Sequence, residues 1–274
     1  YENHFNPNGW RQASIVLPEK LSKQFPNLLT LKEPNVFFLP NWNETQEIFV
    51  NKKEIPQHLI SLHLWEKFSL KYMENIDDWS WAYKNSHTMY GKMLLNLIDN
   101  YIIKNIEYES KYDDFFVMTL WSPSIPYLIE ILDDVKDKFN VKILQTIKKN
   151  INDDKLLDYI LKIYEPDKRC VKSYLKDKVK FIISNSIFKN YQQLYHFKIC
   201  FNNISFNKQK ICNNCIELKE YIRMKIKNRL NNYLKDIIIH ITDNFEESKI
   251  VWKICEDRYY DKSIIKQLFY EINK

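Results

Sequence analysis

The pattern of apolar and polar positions becomes regular after residue 112 and predicts alternating strands and helices. Apolar runs bounded by turn residues predict four strands: Phe115 to Trp121, Val141 to Ile147, Tyr195 to Phe201 and Asp236 to Thr242. Helical periodicity predicts helices at Ser122 to Phe139, 153–164, 171–186, 214–234 and Phe245 to Arg258. Ser122 is the predicted N-cap of the first of these helices. This order favours an α/β (α+β) fold in which helices pack against a four-stranded sheet.

The first 110 residues follow a less regular pattern of short strands, loops and helices. Prolines at positions 18, 26, 34 and 40 exclude a long helix over that stretch. Val36–Leu39 is a predicted buried strand. Apolar spacing then predicts one helix that begins after Pro56 and continues to Met73, and another from His87 to Lys104.

Composition changes near residue 110 and divides the chain into two parts. Six of the nine prolines and five of the seven tryptophans lie before residue 82. We therefore predict a mixed loop and helix region over residues 1–110 and a sheet-containing module over residues 112–274. Apolar residues make up 45% of the chain and charged residues 28%, which is enough to bury a core.

Two glycines and a net charge of +6 limit the chemistry of any ligand site. With only Gly9 and Gly91, the P-loop, the dinucleotide-binding fingerprint and the kinase glycine loop are excluded. A bound phosphate would have to be held by side chains and helix N-termini. The basic charge fits an anionic ligand, and it also fits a lysine-rich composition without one. The basic 214–234 helix has an apolar face, so its charges do not favour a nucleic-acid partner.

Five cysteines with irregular spacing predict reduced thiols and a cytoplasmic location. Cys212 and Cys215 form a CxxC pair at a predicted helix start, where a zinc site would need two more ligands. The alternative is a pair of ordinary thiols, and we predict no metal site. No apolar run reaches the roughly 18 residues of a membrane span, and no signal peptide is visible, so neither feature is predicted.

The most informative feature is a histidine near the end of the last predicted strand. His240 is followed by Asp243 and Asn244, a turn that opens the next helix and exposes its positive N-terminus. Lys219 and Arg223 lie four residues apart on the preceding helix and so share a face. Together these groups suit the binding of a di- or triphosphate. The alternative is a core histidine beside an ordinary turn and solvated helix charges.

These residues resemble the nucleoside diphosphate kinases over residues 112–258. The family's Asn-Ile-Ile-His-Gly-Ser-Asp-Ser strand and the Glu-Ser that follows are similar to Ile-Ile-His240-Ile-Thr-Asp-Asn-Phe-Glu-Glu-Ser248. An Ile-Arg pair that precedes this strand in the family resembles Ile222-Arg223. The resemblance implies a ferredoxin-like fold with an antiparallel sheet, a nucleotide ligand accompanied by Mg²⁺, and phosphoryl transfer through His240.

The sequence departs from that family at two catalytic positions. Leu120-Trp121 stands where the family's first strand ends in a phosphate-binding lysine, and Val251 stands where a glutamate orients the histidine. Phosphoryl transfer needs a neutral nucleophile held by an acid, and cations that spread the developing charge. These departures predict phosphate binding without efficient kinase chemistry. The alternative is an active kinase-type phosphotransferase that uses His240.

A second resemblance covers residues 1–110. The segments Phe37 to Asn43 and His63-Leu-Trp65-Glu66 are similar to the C-terminal part of DXD-type, capsular-polysaccharide glycosyltransferases. This resemblance implies a nucleotide-sugar ligand, sugar contacts from Trp42, His63 and Trp65, and a function in glycan synthesis, although the DXD motif itself is absent. The alternatives are that the tryptophans anchor a core, and that the whole chain is a non-catalytic interaction module.

Overall fold

The computed structural model describes residues 17–28, 42–59, 61–64, 66–106, 114–167, 169–230 and 237–257. The strands within these ranges are β1 (Phe116–Leu120), β2 (Val141–Asn152), β3 (Tyr191–Phe201) and β4 (Ile239–Ile241). The α-helices within them are α1 (Leu17–Gln24), α2 (Gln46–Phe49), α3 (Glu66–Met73), α4 (Ser80–Lys84), α5 (Met89–Lys104), α6 (Leu128–Asp137), α7 (Asp153–Ile163), α8 (Lys172–Asn185), α9 (Asn213–Ile226) and α10 (Phe245–Glu256). Helices and strands are therefore mixed along the chain, as predicted.

The strands of the described residues form one antiparallel sheet in the order β2-β3-β1-β4. β1 and β2 therefore point the same way, with β3 between them and α6 as their connection. β3 and β4 are related in the same manner through α9, with β1 between them. Two interlocked split βαβ units of this kind define the ferredoxin-like arrangement. The predicted four-stranded antiparallel sheet is confirmed.

One row of side chains crosses the sheet and positions the candidate site. Thr119 of β1 lies opposite His196 of β3 on one side and opposite His240 of β4 on the other. Because directly opposite residues in a sheet point to the same face, the threonine and both histidines share a face. All three side chains are buried. Tyr159 of α7 and Tyr164 just after it cover His196 and His240, with ring centroids 5.8 Å and 4.5 Å apart.

β2 is longer than the apolar pattern predicted. It continues past Ile147 because each residue from Lys148 to Asn152 is paired with β3. Lys149 is 2% exposed, and its ammonium donates to the Asp257 carbonyl at 2.6 Å. The sequence Lys-Lys-Asn-Ile-Asn has low strand propensity, so cross-strand pairing, and not local preference, forms this half of the strand.

The helix predicted after Pro56 begins ten residues later, at Glu66. The described residues between them form one turn, closed by the Leu59 N–H on the Pro56 carbonyl at 3.0 Å, followed by chain without regular structure. Apolar spacing shows which side chains can share a face, but it does not specify the backbone hydrogen bonds of a helix, so it overextended this one. The second predicted helix is confirmed as α5, and the predicted strand Val36–Leu39 lies outside the described residues.

The predicted serine N-cap is wrong. Residues Ser122–Tyr127 form a 3-10 helix, and α6 begins only at Leu128. The Ser122 hydroxyl donates to the Gln193 carbonyl at 2.9 Å, and the Ser124 hydroxyl donates to the Trp121 carbonyl at 2.7 Å. An N-cap oxygen must accept a hydrogen bond, so these donors instead tie the segment to β3 and to the end of β1.

The other predicted elements differ mainly at their ends. α7 and α8 match their predicted ranges to within one residue, whereas α9 ends at Ile226 and not near 234. β4 retains only Ile239–Ile241 of the longer predicted strand, whose first residue lies outside the described ranges. Among the helices of the described residues, none is both long and apolar enough to cross a bilayer.

Candidate functional site

His240 is a buried histidine whose side chain is poorly satisfied. It lies at the centre of β4 and is 7% exposed. Burial, followed by the charges of Lys219, Lys178 and Arg223, holds the pKa of its imidazole well below the ordinary value. The ring is therefore neutral at pH 7. Its Nε2 has no hydrogen-bond partner among the described residues, an uncommon and costly condition for a buried nitrogen.

Glu247 places a carboxyl group beside this nitrogen. Its Oε1 lies 3.8 Å from His240 Nε2, and its Oε2 accepts the Asp243 N–H at 2.9 Å. Burial is the main cause that raises the pKa of Glu247 to about 7. The sequence placed the family's glutamate position at Val251, whereas the structure brings a carboxyl near the ring from Glu247, one turn earlier on α10. An acidic residue in the first turn of the helix was the signal that could have found it.

Two cations converge on the carboxylate of Asp243. Lys219 donates to its Oδ1 at 2.9 Å and to the Ile241 carbonyl at 3.1 Å. The Arg169 guanidinium pairs with Oδ2 of Asp243 and also forms two hydrogen bonds to Asp167, at 2.7 Å and 3.0 Å. We call Arg169, Lys219 and Asp243 the rim of the His240 site. Arg169 was not among the predicted residues because it lies 74 positions from Asp243 in the chain.

Lys178 supplies a further buried cation next to His240. It is fully buried on α8, and its ammonium donates to the Tyr164 hydroxyl at 2.6 Å. The same ammonium lies 4.8 Å from the ring centroid of Trp121 and 4.7 Å from that of Tyr164, a double cation–π contact. The sequence found Trp121 where the resembled family has a lysine, and a lysine from another helix lies against that tryptophan instead.

The remaining predicted phosphate-binding residues have structural contacts. Arg223 donates to the Ile239 carbonyl at 3.2 Å and to Glu220 Oε1 at 3.2 Å. Asn244 is the N-cap of α10, where its side chain accepts the Glu247 N–H at 2.9 Å. Of the four predicted residues, Lys219 and Asp243 therefore lie at the rim, whereas Arg223 anchors β4 and Asn244 begins α10.

The predicted sugar-binding residues are not brought together. His63 is exposed, Trp65 lies outside the described residues, and so does the side chain of Trp42. Sugar binding by these residues therefore stays a prediction. An open cavity of about 830 Å³ lies between this part of the chain and the sheet-containing module, lined by part-buried Trp79 and Tyr90 on one side and by Tyr127 and Arg229 on the other. The reading of the tryptophans as core anchors fits Trp79, which packs against the hydrophobic core.

The described residues contain no group of three or more His, Cys, Asp or Glu side chains arranged to hold a metal ion. Cys212 and Cys215 are both buried at the start of α9. The two further ligands that a zinc site would need are not found beside them in the described part of the chain.

Comparison with known proteins assigns no family to the chain. A scan against models of known protein families finds no match, and a search of curated proteins finds none either. The geometry of the His240 site is therefore the main guide to function.

Proposed function

We propose that the sheet-containing module binds a phosphate group at the rim of the His240 site, as part of a nucleotide or a nucleotide-sugar. The observation that supports this most is the convergence of Arg169 and Lys219 on the single carboxylate of Asp243. A carboxylate held by two cations at the start of a helix occupies the place that a bound anion takes. Beside it, His240 keeps a neutral ring whose Nε2 has no partner among the described residues.

Electrostatics at the rim favour exchange of the Asp243 carboxylate for a phosphate. The Arg169 side chain is 59% exposed and can follow a ligand at the surface, whereas that of Lys219 is 13% exposed. The N-terminus of α10 adds positive potential on the same side. Lys178 adds a buried charge behind the His240 ring. A phosphate oxygen carries more negative charge than a carboxylate oxygen and matches guanidinium and ammonium donors well, so it gains more from these groups.

The proposed ligand class is narrower than phosphate alone. The resemblance of the His240 segment to nucleoside diphosphate kinases supports a nucleotide, which would bring Mg²⁺ bound to its own phosphates. The resemblance of residues 1–110 to glycosyltransferases supports a nucleotide-sugar and a function in glycan synthesis. Orthophosphate, ADP, ATP and UDP-sugars therefore form the test series, each with and without Mg²⁺.

The Asp243→Asn variant tests the exchange of carboxylate for phosphate. Thermal unfolding should be measured with each ligand for the wild type, Asp243→Asn, His240→Gln and the control Lys249→Ala, which removes a cation on the exposed side of α10. A ligand at about a hundred times its Kd should stabilise the fold by about 2.7 kcal/mol. We expect Asp243→Asn to bind phosphate at least about fivefold more tightly, because the internal competitor loses its charge. His240→Gln should weaken binding, and Lys249→Ala should match the wild type.

Absence of any shift with the whole ligand series would overturn the proposal. That result would favour the non-catalytic interaction module. A shift that Asp243→Asn reduces would also contradict the exchange, because it would assign Asp243 a direct role in holding the ligand.

A second candidate function is acceptance of a phosphoryl group by His240, and the position of Glu247 favours it. The neutral imidazole is the nucleophilic form, and a carboxyl 3.8 Å from Nε2 can orient the ring as the charge on it changes. Lys178 and Lys219 lie close enough to lower the pKa of the same ring. Both cations would also stabilise charge that develops on a transferred phosphoryl group.

Incubation with ATP labelled at the γ-phosphate tests this second candidate. An acid-labile, alkali-stable label on the wild type that is absent from His240→Gln and slower to form in Glu247→Gln would support it. If nucleotides shift the unfolding midpoint but no label forms, the chain binds nucleotides without phosphoryl transfer, as the departures in its sequence predict.

A further inference from the structure

The first turn of α9 contains a pair of thiols that the phosphate site does not use. Cys212 is the N-cap residue of this 14-residue helix, and Cys215 lies in the first turn. Both side chains are fully buried, and both are free thiols. The N-cap and the third residue of a helix lie on the same side of its first turn, so this spacing is one that a disulfide can span.

The two thiols differ in acidity because their surroundings differ. A hydrogen bond from the Cys215 thiol is the main cause that lowers the pKa of Cys212 to about 7, with the backbone of Cys215 and Asn214 and the charge of Lys219 acting in the same direction. Burial raises the pKa of Cys215 well above its ordinary value. The pair therefore combines one sulfur that forms a thiolate near neutral pH with one that keeps its proton.

We propose that Cys212 and Cys215 are a modification site, at which a small hydroperoxide oxidises the two thiols to an intramolecular disulfide. Cys212 is the attacking residue and Cys215 the resolving residue. The burial of both side chains sets the class of oxidant, since a small peroxide can reach them through local fluctuations whereas a protein disulfide cannot. The other cysteines of the described chain have no neighbour at CxxC spacing.

The reaction balances in two steps. The Cys212 thiolate attacks one oxygen of the hydroperoxide, an S–O bond forms, the O–O bond breaks, and an alcohol or water leaves, so that Cys212 becomes a sulfenic acid. The Cys215 sulfur then attacks the Cys212 sulfur, an S–S bond forms, the S–O bond breaks, and the hydroxyl leaves as water with the Cys215 proton. Two thiols lose two electrons in total, and the hydroperoxide gains them.

The two cysteines lie next to the turn that contains Asp243. The Cys212 N–H donates to the Asp243 carbonyl at 2.9 Å, and Lys219, one turn after Cys215, pairs with the Asp243 side chain. A disulfide in this turn would form directly against the turn that links β4 to α10. Disulfide formation needs no ligand at the rim, so it can be tested independently of the phosphate site.

Peptide mapping after hydrogen peroxide treatment tests the proposal on the full chain. Trypsin cleaves after Lys210 and Lys219, so one peptide contains both thiols and no other cysteine. In the wild type this peptide should lose two hydrogens in mass and resist alkylation until a reductant is added. In Cys215→Ser the reaction should stop at a sulfenic acid on Cys212 that dimedone traps. Cys212→Ser should lower the rate of peroxide reaction in this peptide at least about tenfold.

Cys170→Ser and Cys255→Ser serve as controls, since the first removes a part-exposed thiol and the second a buried one outside the pair. Both should form the disulfide at the wild-type rate. An unmodified Ile211–Lys219 peptide after all the other thiols have reacted would overturn the proposal. Equal rates of peroxide reaction in Cys212→Ser and the wild type would overturn it as well, because Cys212 would then not be the attacking residue.

Discussion

His196 and His240 occupy equivalent positions on one face of the sheet, yet their surroundings differ. Both lie opposite Thr119 and both are buried under a tyrosine ring. His196 is hydrogen-bonded on both nitrogens, at 2.9 Å from Thr119 Oγ1 and at 2.9 Å from the Tyr159 hydroxyl. His240 has charged neighbours instead, and its Nε2 has no partner among the described residues.

This difference separates a structural polar group from a candidate functional one. A buried imidazole with two short hydrogen bonds compensates for its loss of water and stabilises the packing around it. A buried imidazole with an unsatisfied nitrogen lowers stability, and such a cost is typical of sites that bind a ligand or perform chemistry. Burial lowers the pKa of His196 to about 3 and holds that of His240 well below its ordinary value, so the protonation state does not distinguish them.

The largest expected effect is the contrast between His196→Leu and His240→Leu. His196→Leu removes hydrogen-bond partners from Thr119 and Tyr159 and should lower the free energy of unfolding by about 2–4 kcal/mol. His240→Leu, which loses no hydrogen bond at Nε2, should cost less than about 1 kcal/mol. Urea unfolding of both variants and the wild type measures the contrast.

Equal losses in the two variants would break this comparison. They would mean that His240 Nε2 contributes as much to the fold as the bonded nitrogens of His196. The unpaired His240 nitrogen would then no longer support a ligand site beside it.

The second prediction concerns Glu247 and the pH dependence of stability, where we expect an effect of intermediate size. Its pKa is near 4.5 in the unfolded chain and about 7 in the folded protein, so the folded state disfavours the charged form. The contribution of protonated Glu247 to the free energy of unfolding is therefore fully present below pH 4.5, and it is lost as the pH rises through 7. Between about pH 5 and pH 8 the wild type should lose about 1–3 kcal/mol relative to Glu247→Gln, which cannot ionise.

Glu246→Gln is the matched control for this pH dependence. Glu246 lies in the same first turn of α10, and its side chain is 86% exposed. Unfolding curves of all three proteins at several pH values isolate the effect of the Glu247 carboxyl, because Glu246→Gln removes an exposed carboxyl from the same turn. If Glu247→Gln and Glu246→Gln gave the same pH profile, Glu247 would not carry the raised pKa beside His240.

The smallest expected effect concerns the start of α10, which holds Glu247 in place. Asn244→Ala removes the acceptor of the Glu247 N–H and should lower the free energy of unfolding by about 1 kcal/mol. Asn244→Asp keeps an acceptor oxygen and should restore most of that loss. Thermal unfolding of both variants checks this, and failure of aspartate to restore stability would mean that the asparagine amide has another role.

The fold was more predictable from the sequence than the site was. β1 is a run of buried, mostly apolar residues, and the local pattern is sufficient to find it. In β3 the pattern found Tyr195 to Phe201 but missed the first four residues, which include two glutamines. The second half of β2 was missed because its polar residues are held by pairing with β3. At the site, His240, Lys219 and Asp243 lie close together in one local pattern and were found. Arg169 and Lys178 come from distant segments, and only the fold brings them to the histidine.

The contacts of α9 with β4 also govern how the sheet meets other molecules. Ile238 and Thr242 pair with the β1 side, which leaves the Ile239 and Ile241 carbonyls directed to the outside of the sheet. Arg223 and Lys219 occupy these two carbonyls. Unpaired carbonyls on an edge strand can pair with a strand of another chain and start aggregation. The two side chains from α9 block that pairing at β4. Removal of the two cations would therefore uncover this edge of the sheet and lower the solubility of the protein.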